Sequence, residues 1–215
     1  ARPSSACARS TGTACVALLL PSLVHSQPAP APPAVAPSVA PMDPLGEAIR
    51  ERIDHLRYER GHDYRDHEVR GERIVLADAV GRYYESQQFR AKWRDPKRVS
   101  QLVDELVGLV DDGLDPNDYH LETLRSYRLD VRMQSPLTLQ DRADLELLAT
   151  DAFMLGLYHV YLGKVDPVKL SSQWNFSQRP TLSFDEGLQR FSARLAAGEI
   201  RAAFDSARPS HAWYQ

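Results

Sequence analysis

Asp144-Leu145-Glu146-Leu147-Leu148-Ala149-Thr150-Asp151-Ala152-Phe153-Met154-Leu155-Gly156-Leu157-Tyr158-His159-Val160-Tyr161-Leu162 is the stretch on which the fold turns. Fourteen of its nineteen residues are apolar or glycine, and the bulky ones fall all round a helical wheel instead of on one stripe. A helix of that kind has to be enclosed by other elements. It is expected to run from about residue 139 to 162 as the buried centre of a helical bundle. Asp144, Glu146, Asp151 and His159 interrupt it too often for a membrane span, and Gly163 marks its end.

Working outward, every strong periodic signal beyond residue 44 is helical, and no window alternates with period 2 for long enough to make a strand. The expected fold class is all-α, an irregular helical bundle. Asp43-Pro44 reads as an N-cap and first helical residue, with Leu45, Ile49, Ile53 and Leu56 on one stripe before Gly61. His62 to Glu72 is polar and reads as a loop. A second helix is expected through Ile74, Leu76, Val80 and Tyr83-Tyr84 toward Phe89 and Trp93. Asp95-Pro96 opens a third, whose stripe takes in Val99, Leu102, Val103, Leu106, Leu109 and Val110 before Gly113 stops it. Asp115-Pro116 repeats the cap at a short turn through Tyr119 and Leu124, after which Arg125 to Ser135 reads as irregular. Beyond the central helix, Asp166-Pro167 caps a turn leading to Trp174. Ser183 and Glu186 have the spacing of a capping box and open a helix striped by Leu188, Phe191 and Leu195 that ends at Gly198. A last helix carries Ile200, Ala203 and Phe204.

The chain has 215 residues, enough for one ordinary domain with a real core. Its 26 Lys and Arg against 29 Asp and Glu leave a net charge of −3, which lacks the basic footprint that binding nucleic acid demands. Residues 1–26 hold Arg2, Arg9 and no acid, followed by an apolar run from Ala14 to Val24. That is the order of a secretory signal peptide, with cleavage expected near Ser26. The run is far shorter than the roughly 18 residues of a membrane span, so no span is expected after cleavage. Losing two arginines and no acid would take the mature chain to −5. From Gln27 to Pro44 there are seven of the fifteen prolines and no aromatic residue, the composition of an extended proline- and alanine-rich tether. The globular part is thus placed at 45–215, and the expected location is periplasmic.

Candidate chemistry is sparse. Asp144 and Asp151, seven apart on the central helix, share a face, and paired carboxylates can serve as acid and base in glycoside cleavage. A buried aspartate more often accepts hydrogen bonds from a neighbouring helix N-terminus or pairs with an arginine. His55, His62 and His67, with Asp63 and Asp66, have ligand chemistry without a ligand spacing. Asp111-Asp112-Gly113-Leu114-Asp115 hints at a calcium loop but fails on register, since Gly108, Val110 and Tyr119 fall where ligands are required. Both cysteines, Cys7 and Cys15, lie in the export segment, and no nucleophile elbow, phosphate loop or zinc-protease helix is present. No catalytic residue, cofactor or metal is assigned.

Read in order, Tyr83-Tyr84 through Trp93, Asp112-Gly113-Leu114-Asp115-Pro116-Asn117-Asp118-Tyr119-His120-Leu121, Asp144-Leu145 with Thr150-Asp151-Ala152-Phe153, and Gly163-Lys164-Val165-Asp166-Pro167 with Leu170 and Trp174 form a series. It resembles the helical scaffold domain of large bacterial L,D-transpeptidases, from about residue 74 to Gln215. Members of that family cross-link peptidoglycan in the periplasm, joining stem peptides through a cysteine acyl-enzyme. The resemblance implies a part in cell-wall biogenesis. It also implies two partners: a downstream catalytic domain of the same protein and, through it, peptidoglycan stem peptides. The family's Ser-His-Gly-Cys type motif and its peptidoglycan-binding module have no counterpart in these residues, so no catalytic residue carries over and the chain is expected to be a piece shortened at its C-terminus and inactive alone. The matching residues then have physical tasks: Asp115 and Asp166 cap helices, Gly113 and Gly163 stop them, and Tyr119 and Trp174 pack between them. An uncovered apolar face is expected around Phe204 and Trp213. Two other readings stay open, a stand-alone periplasmic helical adaptor without activity and a muramidase-like enzyme using Asp144 and Asp151.

Overall fold

The computed structural model describes residues 43–58, 68–132, 136–165 and 183–210, within a unit that runs from Pro41 to Gln215. The expected signal peptide, nearly all of the proline-rich tether, Gly61, the segment His62 to His67, Asp166-Pro167, Leu170, Trp174 and Trp213 lie outside the described residues. In chain order the elements are α1 (Pro44–Tyr58), β1 (Glu68–Val69), β2 (Glu72–Arg73), α2 (Ala77–Ser86), α3 (Pro96–Gly108), a 3₁₀ turn (Pro116–Tyr119), α4 (Leu121–Arg132), α5 (Leu139–Leu162), α6 (Phe184–Ala197) and α7 (Ile200–Ala207). Among the described residues no helix is long and apolar enough to cross a membrane.

The central helix forms as its composition requires. A capping box starts α5: Thr138 Oγ1 accepts from the Asp141 amide at 3.1 Å, and the Asp141 carboxylate accepts from the Thr138 amide at 3.0 Å. Every residue from Ala143 to Leu157 is buried, because α1, α2, α3, α4 and α7 all pack around it. The surrounding helices each bury one stripe: Ile49 and Ile53 on α1, Val80, Tyr83 and Tyr84 on α2, Leu102, Val103 and Leu106 on α3, Leu124 and Tyr127 on α4, Phe204 on α7. The remaining helix, α6, rests on α2 and α7. The proline-led starts are capped as expected, Asp43 accepting from Gly46 N at 2.6 Å, Asp95 from Lys97 N at 2.9 Å and Asp115 from Asn117 N at 3.0 Å.

Five expectations need correction. The loop expected over His62 to Glu72 contains one antiparallel pair, Glu68 facing Arg73 and Val69 facing Glu72. Arg70 and Gly71 turn it with φ +54° and +76°, the positive pair of a type I′ turn, and two residues per strand leave no room for a visible alternation. Helix α2 starts only at Ala77 and ends at Ser86, because Gln88 and Phe89 take positive φ. Helix α3 ends at Gly108. Leu109 to Gly113 turn away, closed by Leu114 N donating to Leu109 O at 3.0 Å, and Val110 is 62% exposed instead of joining the stripe. Arg125 to Arg132, expected to be irregular, is the body of α4. Its buried face is the narrow row Leu121, Leu124 and Tyr127, and its polar remainder masked the period. Phe204, expected at an uncovered face, is fully buried.

Candidate functional site

The chemistry-bearing residues converge on the polar interruptions of α5. Asp144 is 4% exposed and accepts from Arg52 Nε at 2.9 Å and from Gln140 Nε2 at 3.2 Å, with Arg70 Nε 3.5 Å from its other oxygen. Asp151 is fully buried and accepts from the amides of Val75 at 3.2 Å and Leu76 at 2.7 Å, the entry to α2, and from His120 Nε2 at 2.8 Å. The two tasks open to a buried aspartate are thus both present, an arginine pair at one residue and a helix entry at the other. Seven residues along a helix separate the two backbone positions by about 10.5 Å of rise, and each carboxylate is held by donors of its own. Both carboxylates are also out of reach of solvent. The geometry does not suit the acid and base pair considered above.

Glu146, one turn from Thr150, is a third buried carboxylate that the sequence showed only as an interruption. Its oxygens accept from the amides of Lys92 at 2.7 Å and Trp93 at 2.8 Å and from the Tyr84 hydroxyl at 2.7 Å. Trp93 Nε1 donates to Thr150 Oγ1 at 2.9 Å, which lies 2.9 Å from the Tyr84 oxygen. One donor order, indole to threonine to tyrosine to carboxylate, satisfies the whole chain. Burial pushes the Glu146 carboxyl up, with the Lys92 amide, the Tyr84 hydroxyl and the Trp93 amide pulling against it. Burial and the charge of Glu146 hold the Tyr84 phenol well above its ordinary range. The irregular stretch after α2 is therefore tied down by a side chain of the central helix.

Two histidines face opposite fields. Burial works against protonation of His120, but the hydrogen bond and charge of Asp151, with those of Glu72, outweigh it and raise the imidazole above its ordinary value. His159, whose Nδ1 lies 2.9 Å from the Tyr119 hydroxyl, is lowered by burial and by Lys164, with Asp118 opposing. Burial pushes Tyr119 up to about 12, so at neutral pH the phenol keeps its proton. Asp118 and Lys164 form an ion pair beside them.

Of the metal candidates, His55 lies on α1 and His62, Asp63, Asp66 and His67 lie outside the described residues. Among the described residues no group of three or more His, Cys, Asp or Glu is placed to hold a metal ion. In the would-be calcium loop Asp112 accepts from Arg208 Nε at 3.1 Å, Asp115 caps the 3₁₀ turn and Gly113 supplies φ +76°. An apolar cavity of about 220 Å³ opens between α2, α5 and α6, walled by Leu76, Met154, Tyr158, Tyr161, Leu188 and Phe191 among others, and none of the buried carboxylates reaches it.

His120, Glu72, Glu146 and the Tyr84–Trp93 pair are the polar residues that pattern reading missed. Tyr84 and Trp93 stood inside a quoted motif and Glu146 sat in a core helix, which were signals of a kind. His120 also stood in that motif series, beside Tyr119, but nothing local marks a histidine that will take a left-handed backbone and meet a carboxylate at each ring nitrogen.

These features define a helical body whose buried charges hold backbone and neighbouring elements together. A model of the family described as a scaffold domain matches residues 78–215, from α2 to the end of the chain, and the chain belongs to that family. No curated protein and no solved structure matches it.

Proposed function

We propose that the chain is the scaffold portion of a periplasmic L,D-transpeptidase, a rigid helical body that supports peptidoglycan cross-linking carried out by a catalytic domain of the same protein. The observation that carries this reading is the scaffold-domain match over residues 78–215, which falls on the same residues as the ordered motif series. The geometry supports it: Asp144, Glu146 and Asp151 are each spent on arginines, amides or a histidine, which suits a supporting body. Acyl transfer of the proposed kind needs a thiolate, an activating histidine and an oxyanion site, and the only thiols, Cys7 and Cys15, precede the expected cleavage near Ser26.

The test is incubation of purified residues 27–215 with tetrapeptide muropeptides, followed by chromatography of the products. No cross-linked dimer above background is expected, whereas the product of the full reading frame should form one. Dimer from residues 27–215 alone would overturn the assignment. A full reading frame that encodes no Cys-containing β-rich domain would replace it with the stand-alone adaptor.

A further inference from the structure

His120 joins the 3₁₀ turn to α4 with φ +58° and ψ +25°, a left-handed conformation that few side chains adopt. It is 4% exposed, and each ring nitrogen meets a carboxylate: Nε2 lies 2.8 Å from Asp151 Oδ2, and Nδ1 lies 3.4 Å from Glu72 Oε2. Carboxylates only accept. A neutral imidazole has one N–H and one lone pair, so in that form one nitrogen would set its lone pair against a carboxylate oxygen. Only the imidazolium can donate to both.

The two carboxylates belong to different elements, and each holds something further. Asp151, on α5, also takes the Val75 and Leu76 amides, while Glu72, on β2, also takes the Thr123 hydroxyl of α4 at 2.8 Å. We propose that His120 is a proton-dependent clasp that holds the β1–β2 hairpin and the start of α4 to the central helix, tight while the ring carries both protons and slack once it loses one. Leu76 transmits the change, because its amide sits on Asp151 and its side chain forms part of the wall of the 220 Å³ cavity.

The groups that face the ring are all on one side of the charge balance. Asp151 comes from α5 and Glu72 from β2, the entry to α2 contributes only amides, and the α4 hydroxyl is spent on Glu72. Arg70, at the hairpin tip, faces away toward Asp141, Asp144 and the Tyr127 ring. That tie does not pass through the His120 ring, so slackening is confined to the Glu72 side of the hairpin.

The sign follows from the raised value of His120. A histidine whose folded value lies above its unfolded one contributes fully below the unfolded value and loses that contribution as pH rises through the folded one. The clasp loosens toward alkaline pH. NMR titration of the full chain tests it, following the His120 ring and the amide exchange of Val75 and Leu76 between about pH 5 and 9. The ring should titrate above the ordinary histidine value, and Glu72→Gln should lower its midpoint. Protection of the two amides, corrected for the intrinsic pH dependence of exchange, should fall by up to about tenfold per pH unit through that midpoint. His120→Asn, which tolerates the left-handed backbone and does not titrate, should abolish the pH dependence. A ring that titrates at or below the ordinary value in the unsubstituted protein, or pH-dependent protection that survives in His120→Asn, would overturn the proposal; the first readout stands even if the variant does not fold.

Discussion

At Asp151 a single carboxylate joins two elements that are far apart in the chain to the central helix, since it receives the amides at the start of α2 and the ring of His120. Replacing it removes the acceptor and leaves those donors buried without partners, which is the more damaging half of breaking a hydrogen bond. Asp151→Ala is expected to lower stability by about 2 to 4 kcal/mol, read as a shift of the urea midpoint without a change in slope. A variant that unfolds at the same midpoint as the parent would show that the carboxylate holds nothing. The kind of task was legible in the sequence, because a charge in an otherwise apolar helix must be compensated. Its partners were not, because Val75, Leu76 and His120 are brought to it only by the folding of the whole chain.

At the scale of elements, legibility followed the strength of local chemistry. Among the described residues, starts marked by Asp-Pro or by a capping box form where those residues stand, because a side-chain oxygen and a proline-set φ decide the first turn locally. Thr138, unlike Asp43, Asp95 and Ser183, was not singled out by pattern, yet its hydroxyl and Asp141 form the cap of the longest helix. Thr138→Ala should cost about 1 kcal/mol, measured by thermal unfolding, and an unchanged Tm would mean that packing alone fixes where α5 begins. Ends were harder to read. Val110 continues the periodic row of α3, but the chain leaves the helix at Leu109 and Gly113 only completes the turn. In α4 the buried row is one residue wide, and in the hairpin each strand is too short to alternate, so period carried little information in either.

For the whole molecule, the question is what closes the bundle, and the answer is the last helix. Helix α7 lies on α3 and α5, with the Phe204 ring edge-on to Phe153 at a centroid distance of 6.0 Å. Gly156 makes room for it, since a Cβ there would lie 3.2 Å from the Phe204 ring. Past the ring, Arg208 reaches back to Asp112 at 3.1 Å and to the buried Glu105 at 3.4 Å, securing the end of the helix to α3. The expectation of an exposed apolar face around Phe204 failed because one aromatic stripe on a short helix reads the same whether it awaits a partner or already fills a notch. What settles the matter is the glycine on the facing helix, a complementarity invisible until the two are paired. Phe204→Ala should therefore open a cavity against Phe153 and Gly156 and cost about 3 to 5 kcal/mol. The companion variant Gly156→Val should cost about 1 to 3 kcal/mol by overpacking the same contact. If the ring does close the bundle, the double variant Gly156→Val with Phe204→Ala will be less destabilised than the sum of the two, because the added methyl groups enter the space the ring leaves. Strict additivity in urea unfolding would show that the two positions do not share that space and that the ring does not close the bundle through Gly156.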